Sequence, residues 1–310
     1  MMVALGGVVL AGVISARAAD RTLAERLGYG VEDRLLIVNG DDAGMCHAAN
    51  VATIDSLENG LMTSATVMVP CPWFPELAAY AANHPERGIG VHLTHTSEWK
   101  KYRWGPVASR DSVPGLLDPE GYFWPSIEGV YTHATPEEAE REGRAQIRKA
   151  LQAGIDVTHL DSHMGTLQYD LRYHAVYVKL ALEFDLPLRT ASQETLEALG
   201  AGQLRSELAR AGILCPDYLI HGGRERGEAV GDYWRRMLRG LRPGVTELYI
   251  HAAAEGEELR KITGSWRDRV AEYELFTRDP EIRALLESQG VRRIGYRPIR
   301  ELQRQERQRR

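Results

Sequence analysis

A chain of 310 residues with 44% hydrophobic content is long for an ordinary domain and suits a single α/β barrel with a large core. Its net charge of −5 argues against a nucleic-acid-binding protein, which needs a basic face; the Arg-rich ending "RQERQRR" reads as the solvated end of a helix. Cys46, Cys71 and Cys215 are too few and too scattered for a disulfide framework or a thiolate zinc site.

The chain opens on an apolar run, "VALGGVVLAGVI", followed by the small-x-small pattern Ala16-Arg17-Ala18. The run has signal-peptide length and is too short for a stable membrane span, although no Lys or Arg precedes it. Residues 1–18 are therefore read as a signal peptide. Its destination is the periplasm or cell exterior; without a working signal the chain stays cytoplasmic.

From residue 34 short β-rich runs alternate with helical stretches. The runs are "RLLIVNG", "TSATVMVP", "IGVHLTH", "VTHLDSH", "LPLRTA", "DYLIHGG", "ELYIHAA" and "RRIGYRP". Several are continuously apolar, as expected of parallel strands buried on both faces. With no internal repeat or low-complexity linker, residues 30–300 read as one α/β domain, a single irregular, TIM-barrel-like (β/α) barrel.

The first strand ends on an adjacent pair, Asp41 and Asp42. A helix N-cap would explain one carboxylate, but a cap needs only one. After the third strand, "THTSEWKKYRWGPVASRDSVPGLLDPEGYFW" shows no regular period. Loops this long are uncommon in compact domains and usually functional. Its rings, Trp104 among them, could stack on a sugar or pack the loop down. "TPEEAEREGRAQIRKALQAG" then carries full helix punctuation: Thr135 as cap, Pro136 at the first position, Glu138 closing a capping box and Gly154 after the last turn.

Later strands add His92 and His95, then His159, Asp161 and His163, then Arg189, then His251. A lone strand histidine is more often a core residue than a ligand. Histidine and aspartate converging from several strand ends is the composition of an open hydrolytic metal site. Strand alternation puts His159, Asp161 and His163 on one side, and His163 lies nearest the mouth. Spacing does not choose between His92 and His95. Arg189 is taken as substrate-facing, together with Trp104.

The segments "LLIVNGDDAGM", "NGLMTSATVMVP", "IGVHLTH" and "THLDSHMG", in this order, resemble the signature segments of the YdjC-like carbohydrate deacetylases, which include the chitooligosaccharide deacetylases. The resemblance spans roughly residues 34–300. It implies an irregular (β/α) barrel, one divalent metal ion, and removal of an acetyl group from an amino sugar or oligosaccharide. By position it implies Asp42, His92 and His163 as metal ligands. Similarity to the wider polysaccharide-deacetylase group implies Asp41 as general base and His251 as acid. The chain departs from the family pattern at Ala43, where Phe is common, at Met164-Gly165, at "HAAAEG", and in the "SEWKKYRWGP" loop. These departures bear on substrate identity and on His251 rather than on metal ligation.

On that reading one aspartate holds the ion while its neighbour works beside it, and the ion's charge relieves their repulsion. Mixed imidazole and carboxylate ligation suits Mg, Zn or Mn. A metal-dependent phosphoesterase and a non-catalytic carbohydrate-binding relative are the competing readings, and a monomer and a homo-oligomer are equally compatible with the sequence.

Overall fold

A computed structural model describes residues 21–309, so the expected leader lies outside the described residues. The strands are β1 (Arg34–Ala43), β2 (Ser64–Val67), β3 (Gly88–Leu93), β4 (Leu160–Ser162), β5 (Tyr218–Ile220), β6 (Gly244–Ile250) and β7 (Arg292–Arg293). All pair in parallel, in the order β4-β3-β2-β1-β6-β5, with β7 against the first residues of β1. Helices cover the outside.

The expected barrel is present as a curled parallel sheet, a partial barrel. Of the eight β-rich runs, "LPLRTA" forms only one bridge, Leu188 to Leu160. Pro187 brings no N–H to that edge, so the run cannot extend a regular ladder. Among the described residues no ladder joins it to β5. The gap is crossed by single contacts, such as Leu188 N–H to Leu214 O at 3.1 Å and Leu219 N–H to Ser192 Oγ at 2.9 Å.

Strand alternation sorts the core into two parts. On β1, Leu36 and Val38 join the main cluster with the covering helices, while Leu35 and Ile37 join a smaller one. That smaller cluster adds Val245, Ile294, Tyr296 and Ile299 and plugs the N-terminal end of the strands. Farther along the same inner face the residues turn polar yet stay buried: Asn39, Asp41, Thr66, His92, His159, Asp161 and Glu247. Buried polar groups must be partnered, so this layer commits the curled sheet to a dense hydrogen-bond network.

The helix Pro136–Gln152 has the predicted start, with Thr135 and Glu138 closing the capping box, and Gly154 follows in a left-handed conformation at φ 87°. Its inner face also fixes the long segment after β3. Buried Glu142 accepts from Val107 N–H and Ala108 N–H at 3.0 and 2.9 Å, and Glu138 accepts from Gly115 N–H at 2.7 Å. Trp104 is only 3% exposed, and its indole N–H donates to Thr96 O at 3.0 Å. It packs edge-on against Trp99 and Tyr102. The sugar-stacking role expected of Trp104 therefore gives way to packing. Trp104→Ala is expected to cost about 3 kcal/mol or more of stability, the usual scale for emptying a buried aromatic site. Denaturant titration reads it, and an unchanged midpoint would refute it.

Candidate metal centre and cleft

Adjacent residues on a regular strand face opposite ways, so Asp41 and Asp42 should not share a site. The chain solves this with a bulge. The β1–β2 register shifts between Gly40 and Ala43, and Asp42 takes a left-handed conformation at φ 62°. Asp pays less than most residues for that conformation. Both carboxylates now face the end of the sheet. Neither caps a helix: the next helix starts at His47, and its cap residue Cys46 makes no side-chain cap.

Asp42 Oδ1 lies 3.3 Å from His92 Nε2 and 3.3 Å from His163 Nδ1, and those two nitrogens are 3.3 Å apart. Ligands of a tetrahedral ion with bonds of roughly 2.0–2.1 Å stand about 3.3 Å from one another, so the triangle fits one ion. Asp42 Oδ1 is buried without a hydrogen-bond partner among the described residues, while Oδ2 is held by Arg269 at 2.7 Å. An anionic oxygen with no partner, set between two imidazole nitrogens, is a donor set that could hold a cation.

The outer nitrogens of both imidazoles rest on carboxylates. His92 Nδ1 meets Asp161 Oδ1 at 2.6 Å, and His163 Nε2 meets Glu98 Oε2 at 3.0 Å. Each contact fixes the tautomer that turns the other nitrogen's lone pair toward the centre of the triangle. Burial alone would lower both imidazoles, but Asp161 lifts His92 to about 10 and Glu98 lifts His163 to about 9. With Glu247 on Arg189 in its neutral form, Asp41, Asp42, Asp161 and Glu98 outnumber Arg189 and Arg269 by two formal charges. Two imidazolium protons or one divalent cation restore the balance. Mixed imidazole and carboxylate donors suit Mg, Zn or Mn.

Asp41 lies in a second close group with His92 and Asp161, and there it is claimed by an arginine. Arg189 grips it with both arms, NH1 to Oδ2 and NH2 to Oδ1, each at 2.7 Å. The same guanidinium meets Asp161 Oδ2 at 2.8 Å and Glu247 Oε1 at 2.8 Å. Burial would raise the Asp41 carboxyl, but Arg189 outweighs it and holds it at about 2. Glu247 lacks enough compensation, and burial lifts it to about 7. Arg189, expected to face substrate, lines the cleft with its donors committed to Asp41, Asp161 and Glu247.

His251 lines the same cleft as the triad. Its backbone N–H donates to Glu272 Oε2 at 2.7 Å, and burial lowers its imidazole. Strand spacing left His92 and His95 unresolved. Here His95 is turned away, with Nε2 on Ala139 O at 3.0 Å, and only His92 reaches the triad. His159 lies deeper, stacked on Tyr296 with ring centroids 3.7 Å apart. His163 does not continue β4: the strand stops at Ser162, and a tight turn with Met164 at φ 54° follows. Sequence reasoning missed Glu98, Glu247 and Arg269.

Residues 35–288 match the family described as YdjC-like protein. A carbohydrate deacetylase of Thermus thermophilus is 37% identical over 271 residues, covering 85% of this chain and 93% of that protein. One from Enterococcus faecalis is 28% identical and covers 86% of this chain and 98% of that protein. A solved structure from Enterococcus faecalis V583, provisionally described as a cellobiose-phosphate cleavage protein, superposes with a TM-score of 0.72 at 27% identity. That superposition covers 86% of this chain and 99% of the other.

Proposed function

This chain belongs to the YdjC-like family, and from that membership and the geometry of the cleft we propose that it is a metal-dependent deacetylase acting on the N-acetyl group of an amino sugar or oligosaccharide. The observation that carries the reading is the Asp42–His92–His163 triangle set beside a separate, arginine-held Asp41. A divalent ion held by Asp42, His92 and His163 would polarise the acetyl carbonyl and bring a water's pKa toward neutrality.

The chain's own groups supply the rest. Asp41 is ionised at any pH above about 2, so it is always in the form that accepts a proton from the attacking water. Arg189 fixes its orientation, and Oδ2 keeps a lone pair beyond the Arg189 contact. His251, facing the same cleft, is assigned to protonate the departing sugar nitrogen. Burial lowers that imidazole, so its protonated form gives up its proton readily to the departing nitrogen.

The phosphoesterase reading needs several free cations for the phosphoryl oxygens; Arg189 is occupied by three carboxylates, and Arg269 already gives one arm to Asp42, leaving a single guanidinium nitrogen unclaimed. A binding module has no use for a held, ionised base beside a ligand triangle. The deciding experiment strips the protein with chelator, restores Zn, Mg or Mn singly, and follows free amine or acetate from N- and O-acetylated sugars. Amine release that vanishes on stripping and returns with one ion supports the reading. No release from any N-acetyl sugar, or equal release without metal, overturns it.

A further inference from the structure

One side of the cleft offers an apolar surface that neither the acetyl group nor a hydroxylated ring uses. The cleft encloses about 330 Å³; away from the triad Met164, Tyr169, Leu196, Leu199, Leu204 and Leu219 form an apolar stretch of its wall, while Gln168, His174, Thr190 and His221 supply polar groups elsewhere on it. These residues come from the turn after β4, from the helices Gln193–Ala198 and Gln203–Ala211 and the turns beside them, and from β5. They stand where the sheet lacks a ladder, so the opening in the partial barrel is lined with aliphatic side chains. Leu196 and Leu204 form a buried floor at 6% and 7% exposure, whereas Leu199, Tyr169 and Met164 stand open at 67%, 65% and 40%. Single exposed apolar residues are ordinary; several gathered on the rim of one cavity mark a binding surface.

We propose that this wall is an apolar subsite for the same molecule that presents its amide to the metal triad, so the substrate carries an alkyl or aryl group. The inference rests on the deacetylase reading for the reacting amide, and on the wall itself for the apolar group. A sugar hydroxyl placed against four leucines would lose its water without gaining a partner. A hydrocarbon chain gains there, by about fourfold in affinity for each methylene buried. The occupant belongs to the substrate because the wall and the triad line one continuous cavity. The apolar group has two sources: an N-acyl chain longer than acetyl, or an apolar aglycone.

The test is calorimetric titration of the metal-loaded full chain, with hydrolysis followed in parallel. One arm compares hexyl with methyl β-glycosides of N-acetylglucosamine; the other compares N-hexanoyl with N-acetyl methyl glucosaminide. At least a tenfold gain in affinity in one arm is expected, and that arm names the source. Leu199→Asp should erase the gain, and because Leu199 is exposed its fold should hold; Tyr169→Ser is the second variant should the first misfold. Affinity indifferent to chain length in both arms overturns the subsite, as does a gain that survives both variants. A leucine-dependent gain with no hydrolysis of any amide leaves the subsite standing and removes the deacetylase reading instead.

Discussion

Asp42→Asn is expected to yield a folded protein that has lost its metal and its turnover together. Asparagine keeps the size of the side chain and tolerates the left-handed backbone that Asp42 adopts at φ 62°, so the bulge in β1 survives. What changes is the donor. The buried, unpartnered Oδ1 that faces His92 and His163 becomes a neutral amide atom and no longer offers an anionic ligand. With one of three ligands weakened, metal content after dialysis should fall from about one ion per chain to a small fraction, and activity should fall with it. Elemental analysis beside the turnover assay reads both. His92→Ala and His163→Ala should behave alike. A milder version is expected from Asp161→Asn and Glu98→Gln, which touch only the outer imidazole nitrogens; orienting partners of this kind are typically worth 10–100-fold. Full metal retention in Asp42→Asn would detach the triangle from the ion and leave it a hydrogen-bond cluster.

Much of the frame was legible in the sequence because it depends on local patterns. Runs such as "LLIV" have to be buried on both faces, and the helix at 136–152 carries its cap, its proline and its closing glycine within 20 residues. His163 was separable from His159 by its place toward the mouth, although the extended strand assumed for that step ends at Ser162, one residue short of it. The bulge was not legible: it is a mismatch between β1 and β2, and no single strand encodes a register. Arg269 and Glu98 were invisible for a related reason. Each meets a ligand only through tertiary folding, Arg269 from a helix 227 positions beyond Asp42 and Glu98 from within an aperiodic segment. Trp104 shows the limit of composition, since a ring in a long loop can face substrate or core. Here the carboxylates of Glu138 and Glu142 draw the loop inward and bury it.

Asp41→Asn should give the opposite dissociation from its neighbour: metal retained, turnover reduced by about 10²–10⁴-fold. The asymmetry follows from what each carboxylate touches. Asp42 faces the two imidazoles of the triad, whereas Asp41 is held in a two-armed grip by Arg189 and stays ionised down to a pH of about 2. Losing its charge removes the proton acceptor without removing a ligand. It also leaves a buried arginine short of one anion, though Asp161 and Glu247 still hold it, so stability should fall by about 3 kcal/mol. That cost sets the control. Arg189→Lys keeps a cation but loses the fork, so it should lower stability comparably while leaving the carboxylate ionised. If Asp41 is the base, Arg189→Lys should retain far more turnover than Asp41→Asn at equal stability loss. Equal losses in the two variants would mean that Asp41 serves only to hold the buried network together, and the base would have to be sought elsewhere in the cleft.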